Sequence, residues 1–453
     1  MKTVFAIIAA ALAFLTSLAQ LVFTPGVIRV DFDSVVGEMK PVHGIDRMPE
    51  YETGSEVNRY FTEANIPYCR THDINPTDIF RIFPDFSKDV NDENSYCFEE
   101  TDKIIESILD AGMKPFFRFG ISWSDPVISR PQLQPPADFG KWARICEHII
   151  LHYNEGWADG FRYNIEYWEI YNEPDCQPEP EENNFWQGTP EEFYRLYDIT
   201  ASYLKSRFPS LKIGGYGSCG FYALTKTNAL NTGSSPRNQY FIDFFEGFLD
   251  YVTERGTPMD FFTWHSYTTT DKNAQYIDYV REKLKKAGYG NTEIIVDEWN
   301  YNPTENSKID RRYGANQTSM LIMFQNKGLD MAHYYDGDDD AQLWAGLFVN
   351  GRQPSSAYYG FWAFGQMYKL GSQAKIKNLR LYDDLYAVAA TGEDGQALLI
   401  ANVSEKKDRK LGIDAGGYTV DKCMTVNENC EWMEIPLPDV IESGSMLYIT
   451  FKK

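Results

Sequence analysis

Between about residues 39 and 370 the chain alternates strand-like and helix-like segments eight times, and this alternation most constrains its fold. The strand series runs "MKPVHGI", "IPYCRTHD", "MKPFFRFGIS", "YWEIYNEP", "LKIGGYG", "MDFFTWHSY", "TEIIVDEWN" and "LDMAHYYD". Helical patterns fill the intervals. In "TDKIIESILDAG", Ile104, Ile105, Ile108 and Leu109 recur at helical spacing, with Gly112 as C-terminal cap. In "TPEEF", Thr189, Pro190 and Glu192 predict a capping box with proline in the first turn. Alternation of this kind requires a parallel sheet, and eight units predict a (β/α)8 barrel over 39–372. The rival, a doubly wound open sheet, is weakened because no GxGxxG follows the first strand.

The ends of the chain read differently. "VFTPGVIRVDFDSV" is strand-like, as are "LYAVAATGEDGQALLIANVS", around its Glu-Asp-Gly turn, and "SMLYITFKK". Residues 20–38 and 373–453 are therefore expected to build one small β-sandwich beside the barrel. Residues 1–19 combine Lys2, an apolar run and small residues at Ser17-Leu18-Ala19, which reads as a signal peptide and predicts a secreted or periplasmic protein. No later segment is apolar enough for a transmembrane helix, so no membrane association is expected of the mature form.

The net charge of −22, from 43 basic and 65 acidic residues, excludes a nucleic-acid backbone as an expected partner. Seven cysteines fit no metal-binding spacing, although Cys423 and Cys430 can pair across a short loop. The acidic run Asp336–Asp340 reads as a solvated loop in preference to a calcium site. No cofactor or metal is expected, and nothing indicates an oligomeric state.

Barrel enzymes act at the C-terminal ends of their strands. Late in each strand stand His43; Arg70, His72 and Asp73; Trp123; Asn172 and Glu173; His265 and Tyr267; Asp297 and Glu298; and Asp336. Two carboxylates within a polar and aromatic ring, with no Ser-His-Asp order and no HExxH, suggest glycoside hydrolysis. Depth sorts the acids of "IEYWEIYNEPDCQPEPEE". Glu169 lies four residues before Glu173, roughly 13 Å deeper, and is expected to pair with Arg70 or Arg118. Glu166 faces the wrong end, Asp175 lies beyond Pro174 in the loop, and Glu179 to Glu182 belong to the rim. Asp297 and Glu298 are adjacent, so alternation should point them to opposite sides, and the pattern does not choose between them.

In order, "WEIYNEPD", "FFTWHSY" and "DEWN" resemble glycoside hydrolase family thirty-nine of clan A, which includes β-xylosidases and α-L-iduronidases. "RTHD" and the stretch from Phe185 to Tyr197 extend the likeness. The resemblance implies Glu173 as acid/base and Glu298 as nucleophile. It implies Asn172 at the sugar 2-hydroxyl, His72, His265 and Tyr267 around the terminal sugar, and Arg70 beside the nucleophile. Trp123 is a further candidate sugar contact, and the resemblance suggests Trp344 as an aromatic platform. The implied mechanism is retaining, with carboxyl groups about 5–5.5 Å apart, and the implied partner is an oligosaccharide or polysaccharide. An endo-acting or transglycosylating enzyme and a non-catalytic sugar-binding barrel remain alternatives. The sugar is left open. Iduronate would need a cationic clamp, for which Arg311 and Arg312 stand near, though a solvated helix start is the plainer reading.

Overall fold

The computed structural model describes residues 27–123, 130–227, 235–301, 310–338, 346–349, 352–377 and 382–453. The apolar leader, Trp344, Asp339 and Asp340 lie outside the described residues. Eight parallel strands close into a barrel: β2 (Gly44–Asp46), β3 (Tyr68–Arg70), β4 (Lys114–Phe119), β5 (Tyr167–Ile170), β6 (Lys212–Ser218), β7 (Phe261–Ser266), β8 (Glu293–Trp299) and β9 (Met331–Tyr334). They are preceded by β1 (Val27–Glu38). The surrounding helices are α1 (Asn58–Glu63), α2 (Glu99–Asp110), α3 (Phe139–Asn154), α4 (Pro190–Arg207), α5 (Pro236–Arg255), α6 (Thr270–Lys286), α7 (Arg311–Lys327) and α8 (Ser356–Leu370). All eight strand segments and their order agree with the periodic reading of the sequence.

The helices begin and end where their local chemistry directs. Ile104, Ile105 and Ile108 bury one face of α2, and Gly112 just past its end takes a left-handed φ of +80°. At α4 both halves of the capping box form: Glu192 N donates to Thr189 Oγ1 at 3.2 Å, and Thr189 N donates to Glu192 Oε2 at 2.9 Å. Trp264 and Trp299 are fully buried on the outer wall of the barrel, Trp264 against Phe221 and Phe262, Trp299 against Phe324 and Phe361.

The barrel interior is layered. Its floor is an apolar cluster of Tyr68, Phe116, Tyr167, Phe261, Ile295 and Met331. Two residues further along these strands, on the same inward face, come Arg70, Arg118, Glu169, Thr263, Asp297 and His333, all buried. The interior therefore changes from apolar to charged within one layer, on the way to the C-terminal mouth.

The accessory domain is a sandwich formed by one sheet. Its eight strands run in the order Gly412–Asp414, β1, Ser372–Ile376, Leu385–Gly392, Gly395–Asn402, Ser445–Lys452, Thr419–Val426 and Trp432–Glu434. Phe32 of β1 and Phe451 of Ser445–Lys452 are four strands apart, about 19 Å in a flat sheet. Their rings nevertheless meet at 5.0 Å, so the sheet curls over its own apolar core. Its other face packs on α7 and α8, where Trp432 stacks on Tyr359 at 5.4 Å. Cys423 points into the sandwich core and Cys430 towards the barrel helices, so the two sulfurs face opposite sides and form no disulfide. Among the described residues, no helix is long and apolar enough to cross a membrane.

The substitution Thr189→Ala removes the accepting half of the capping box. It should lower stability by about 1 kcal/mol, read as a lower urea midpoint with an unchanged slope.

Candidate active site

A single guanidinium organises the interior below the mouth. Arg70, at 0% exposure, donates from Nε to Glu169 Oε2 at 2.7 Å and from Nη1 to Glu298 Oε1 at 3.0 Å and Asp46 Oδ1 at 3.3 Å. Its Nη2 donates to Asn172 Oδ1 at 2.6 Å and lies 3.0 Å from Asp297 Oδ2. Glu169 therefore pairs with Arg70, as its depth required, and takes a second bond from Thr263 Oγ1 at 2.7 Å. Burial pushes the Glu169 carboxyl up to about 8, against the pull of Arg70. Arg118 pairs with Asp78 at 2.8 Å and serves the wall.

Alternation along β8 fails where it matters. Asp297 and Glu298 both reach Arg70, because the register of β8 slips against both neighbours there: Trp264 pairs with Val296, but the next residue, His265, pairs with Glu298. A bulge of this kind re-aims side chains that a regular strand would send apart. Asp297 stays in the buried layer, while Glu298 turns to the mouth.

Glu173 reaches the mouth by a different irregularity. Tyr171 and Glu173 take φ of +78° and +46°, a left-handed conformation uncommon in residues with a side chain. The chain is held there by Glu173 N donating to Gly217 O at 2.9 Å. Gly217 itself has φ +62°, and a Cβ on it would stand 3.1 Å from Asn172 Oδ1 and 3.2 Å from Asp297 Oδ2. Asp175 lies in the loop beyond Pro174, as expected, and is fully buried there. It accepts from Ser218 Oγ at 2.7 Å and Cys219 N at 3.1 Å, tying the loop after β5 to the end of β6.

At the mouth, His265 stands between the two glutamates. Its Nδ1 is 2.7 Å from Glu173 Oε1 and 3.3 Å from Glu298 Oε2. Glu173 and Glu298 each place an oxygen within 4.8 Å of the other. Tyr267 OH donates to Glu298 Oε2 at 2.6 Å, and His72 Nε2 lies 3.3 Å from Glu298 Oε1. Burial alone would lower the His265 pKa, but Glu298, Asp297 and Glu173 outweigh it and hold the imidazolium well above its ordinary range. Glu173 is pushed up by burial yet drawn below its usual value by His265, whereas burial lifts Glu298 to about 7 despite His265 and Arg70. His72 is kept neutral by burial and by Arg70.

Above this floor opens a cavity of about 360 Å³. Glu173, Glu298, His72, Tyr267 and Trp123 line it, so five of the expected site residues share one space. Trp123 is half exposed at the rim and meets Phe185 at 5.5 Å. Tyr222, Arg237 and Tyr335 also line the cavity, and the sequence reading did not single them out. Tyr335 immediately follows β9, and that position beyond a strand end was the available signal. His43 departs from its expected place: it packs against Phe364 and Tyr368, bonds to Asn65 O at 2.9 Å and lies away from the mouth. Asp336 is buried against Arg47 at 2.5 Å, which also meets Asp338 at 3.7 Å, so these two carboxylates are not a solvated loop. Arg311 pairs with Glu428 and Glu442 of the accessory sheet, and Arg312 donates to Glu405 O.

Two glutamates facing each other at the mouth of a closed α/β barrel, among aromatic rings, place the chain in the class of barrel glycosidases. Comparison with known sequences agrees: the model of the family described as "Glycosyl hydrolases family 39" matches residues 29–317, and the chain belongs to that family. It is 27% identical over 231 residues to the β-xylosidase of Geobacillus stearothermophilus (48% of this chain, 40% of the relative). It is 24% identical over 233 residues to that of Caldicellulosiruptor saccharolyticus (46% and 42%). The chain thus spans less than half the length of these curated relatives. Among solved structures, a glucosidase from Croceicoccus marinus superposes with a TM-score of 0.72 at 20% identity, covering 95% of this chain and 100% of that one. A family 39 β-xylosidase from Caulobacter crescentus gives 0.64 at 17%, covering 94% and 100%. These likenesses show a shared fold.

Replacing Arg70 with Met leaves the buried carboxylates without their cation. The change should cost about 3–5 kcal/mol of stability, seen as a large fall in urea midpoint, whereas Arg70→Lys, which keeps the charge but loses the fork, should cost less.

Proposed function

We propose that this chain is a retaining glycoside hydrolase that removes terminal sugars, β-xylosides foremost, from oligosaccharides through a covalent glycosyl-enzyme. The observation that carries this reading is the approach of the Glu173 and Glu298 oxygens to within 4.8 Å of each other. Retaining enzymes hold their carboxyl groups about 5–5.5 Å apart, and inverting enzymes need about 6.5–9.5 Å to admit water. The curated β-xylosidases to which the chain is similar support the choice of sugar.

The roles follow from the partners. Glu298 is the nucleophile: Arg70 and Tyr267 fix its two oxygens and stabilise its negative form. Glu173 is the acid/base, and its 2.7 Å contact with His265 gives it access to the proton that the imidazolium holds in the free site. Asn172 accepts from Arg70 through Oδ1, which fixes its amide, while Nδ2 is buried with no partner among the described residues. Nδ2 is thereby suited to meet a sugar hydroxyl. His72 and Tyr267 line the terminal sugar, and Trp123 offers a ring face at the entrance.

Aryl β-D-xyloside, α-L-arabinoside, β-D-galactoside and β-D-glucoside assayed side by side should show the xyloside turned over fastest, and proton NMR should show the β-anomer released first. The variant Glu298→Gln should form no covalent intermediate by mass spectrometry. The variant Glu173→Gln should slow a xylo-disaccharide by about 10²–10⁴-fold yet spare glycosylation by an aryl glycoside with a good leaving group. Equal losses on both substrates would remove Glu173 from the acid role.

A further inference from the structure

Two thiols at the cavity have no part in the proposed sugar chemistry. Cys176, three residues beyond Glu173, and Cys219, just past β6, bring two thiols to the acid/base. One ligand atom from each of Glu173, Cys176 and Cys219 lies within 4.8 Å of the other two. Cys219 and Glu173 line the cavity, while Cys176 is buried behind them. The loop is braced by Asp175, which bonds Ser218 and Cys219 N, and by Arg237, which donates to Cys176 O at 2.5 Å and Sγ at 3.4 Å.

We propose that Glu173, Cys176 and Cys219 form an inhibitory site for a thiophilic divalent cation, zinc being the representative ion. In a tetrahedral zinc site, with bonds of about 2.3 Å to sulfur and 2.0–2.2 Å to oxygen, the ligand atoms stand about 3.5–3.8 Å from one another. The three side chains are thus within a small adjustment of that geometry. The fourth position opens on the cavity and takes water. Binding replaces two S–H bonds with two S–Zn bonds and releases both protons to solvent, and nothing is oxidised or reduced. Two thiolates and one carboxylate around Zn²⁺ leave a net charge of −1. Arg237, whose guanidinium already touches Cys176 and feels the charge of Glu173, balances it. The bound ion would occupy the carboxylate that must deliver a proton to the leaving group, so the site blocks the reaction without blocking the sugar pocket.

The consequence for activity rests on the proposed role of Glu173, but the binding does not, and the two are tested apart. In a Cys97→Ser background, which removes the exposed thiol, Co²⁺ should bind with a thiolate-to-cobalt charge-transfer absorption in the near ultraviolet. This readout needs no activity, and absence of the band would overturn the site. Zn²⁺ should inhibit aryl xyloside hydrolysis, with recovery on adding EDTA. Cys176→Ala and Cys219→Ala, each normalised to its own metal-free rate, should raise the half-inhibitory zinc concentration by at least about tenfold, since even residues that only orient metal ligands are worth 10–100-fold. Unchanged zinc sensitivity in both variants would place the ion on Glu173, His265 and Glu298 and overturn the proposal. If one variant fails to fold, the other and the cobalt spectrum still decide. A cobalt band that Cys176→Ala or Cys219→Ala removes, in a chain whose metal-free form cleaves none of these glycosides, would uphold the metal site and refute the hydrolase reading alone.

Discussion

The structure depends on one buried positive charge. Arg70 stands inside the barrel between an apolar floor and an open mouth, and Asp46, Glu169, Asp297, Glu298 and Asn172 all orient on it. A guanidinium is suited to this because it presents five donors in a fixed planar fork and stays charged in any surroundings. Burying so many carboxylates around one cation is costly, and Asp46, whose carboxyl burial raises well above its usual range, shows that cost. What the arrangement secures is position. Glu298, on β8, and Asn172, just past β5, are set relative to each other by two nitrogens of the same guanidinium.

The mouth shows a second economy. Two carboxylates less than 5 Å apart repel when both are ionised. His265, between them and touching both, lets the pair share a proton without either glutamate losing its place. Asp297 faces the other imidazole nitrogen at 3.7 Å from below, so the imidazolium is enclosed by carboxylates on both sides. The contact between His265 and Glu173 at the top is thereby coupled electrostatically to Asp297 in the buried layer.

Much of this was legible in the sequence, because regular elements obey short rules. The eight strands, the capping box at Thr189, the depth of Glu169 and the placing of Glu173 and Glu298 at strand ends all follow from periodicity and direction. Four things did not. The bulge that turns Asp297 and Glu298 towards one arginine arises from a register slip between β7, β8 and β9, which no local pattern encodes. The burial of Asp175 did not show because its partners, Ser218 and Cys219, come from the next strand. His43 looked like a mouth residue because its strand begins one residue later, at Gly44, leaving the ring outside among Phe364 and Tyr368. Arg237 reaches the cavity from the first turn of α5, where no strand-end rule applies. At the bulge of β8 and in the loop after β5, local regularity gives way beside the mouth, where tertiary contacts hold the backbone in positions it would not choose alone.

The accessory sheet belongs to the same argument. The helix α7 follows the strand that carries Glu298, and it is buried along nearly its whole length. One side meets the barrel through Phe324 against Trp299. The other meets the sheet, where Thr318 Oγ1 approaches Met446 Sδ at 3.1 Å and Asn326 donates to Ala387 O at 3.0 Å. Ion pairs from Arg311 to Glu428 and Glu442 close the N-terminal end of the helix against the same sheet. A strand with a bulge at its C-terminal end has a weakened ladder there, so its position relies more on the layer behind it. By clamping α7 from outside, the sheet restrains β8 at the point where the barrel's own hydrogen bonding is least regular, and so helps to fix where Glu298 stands.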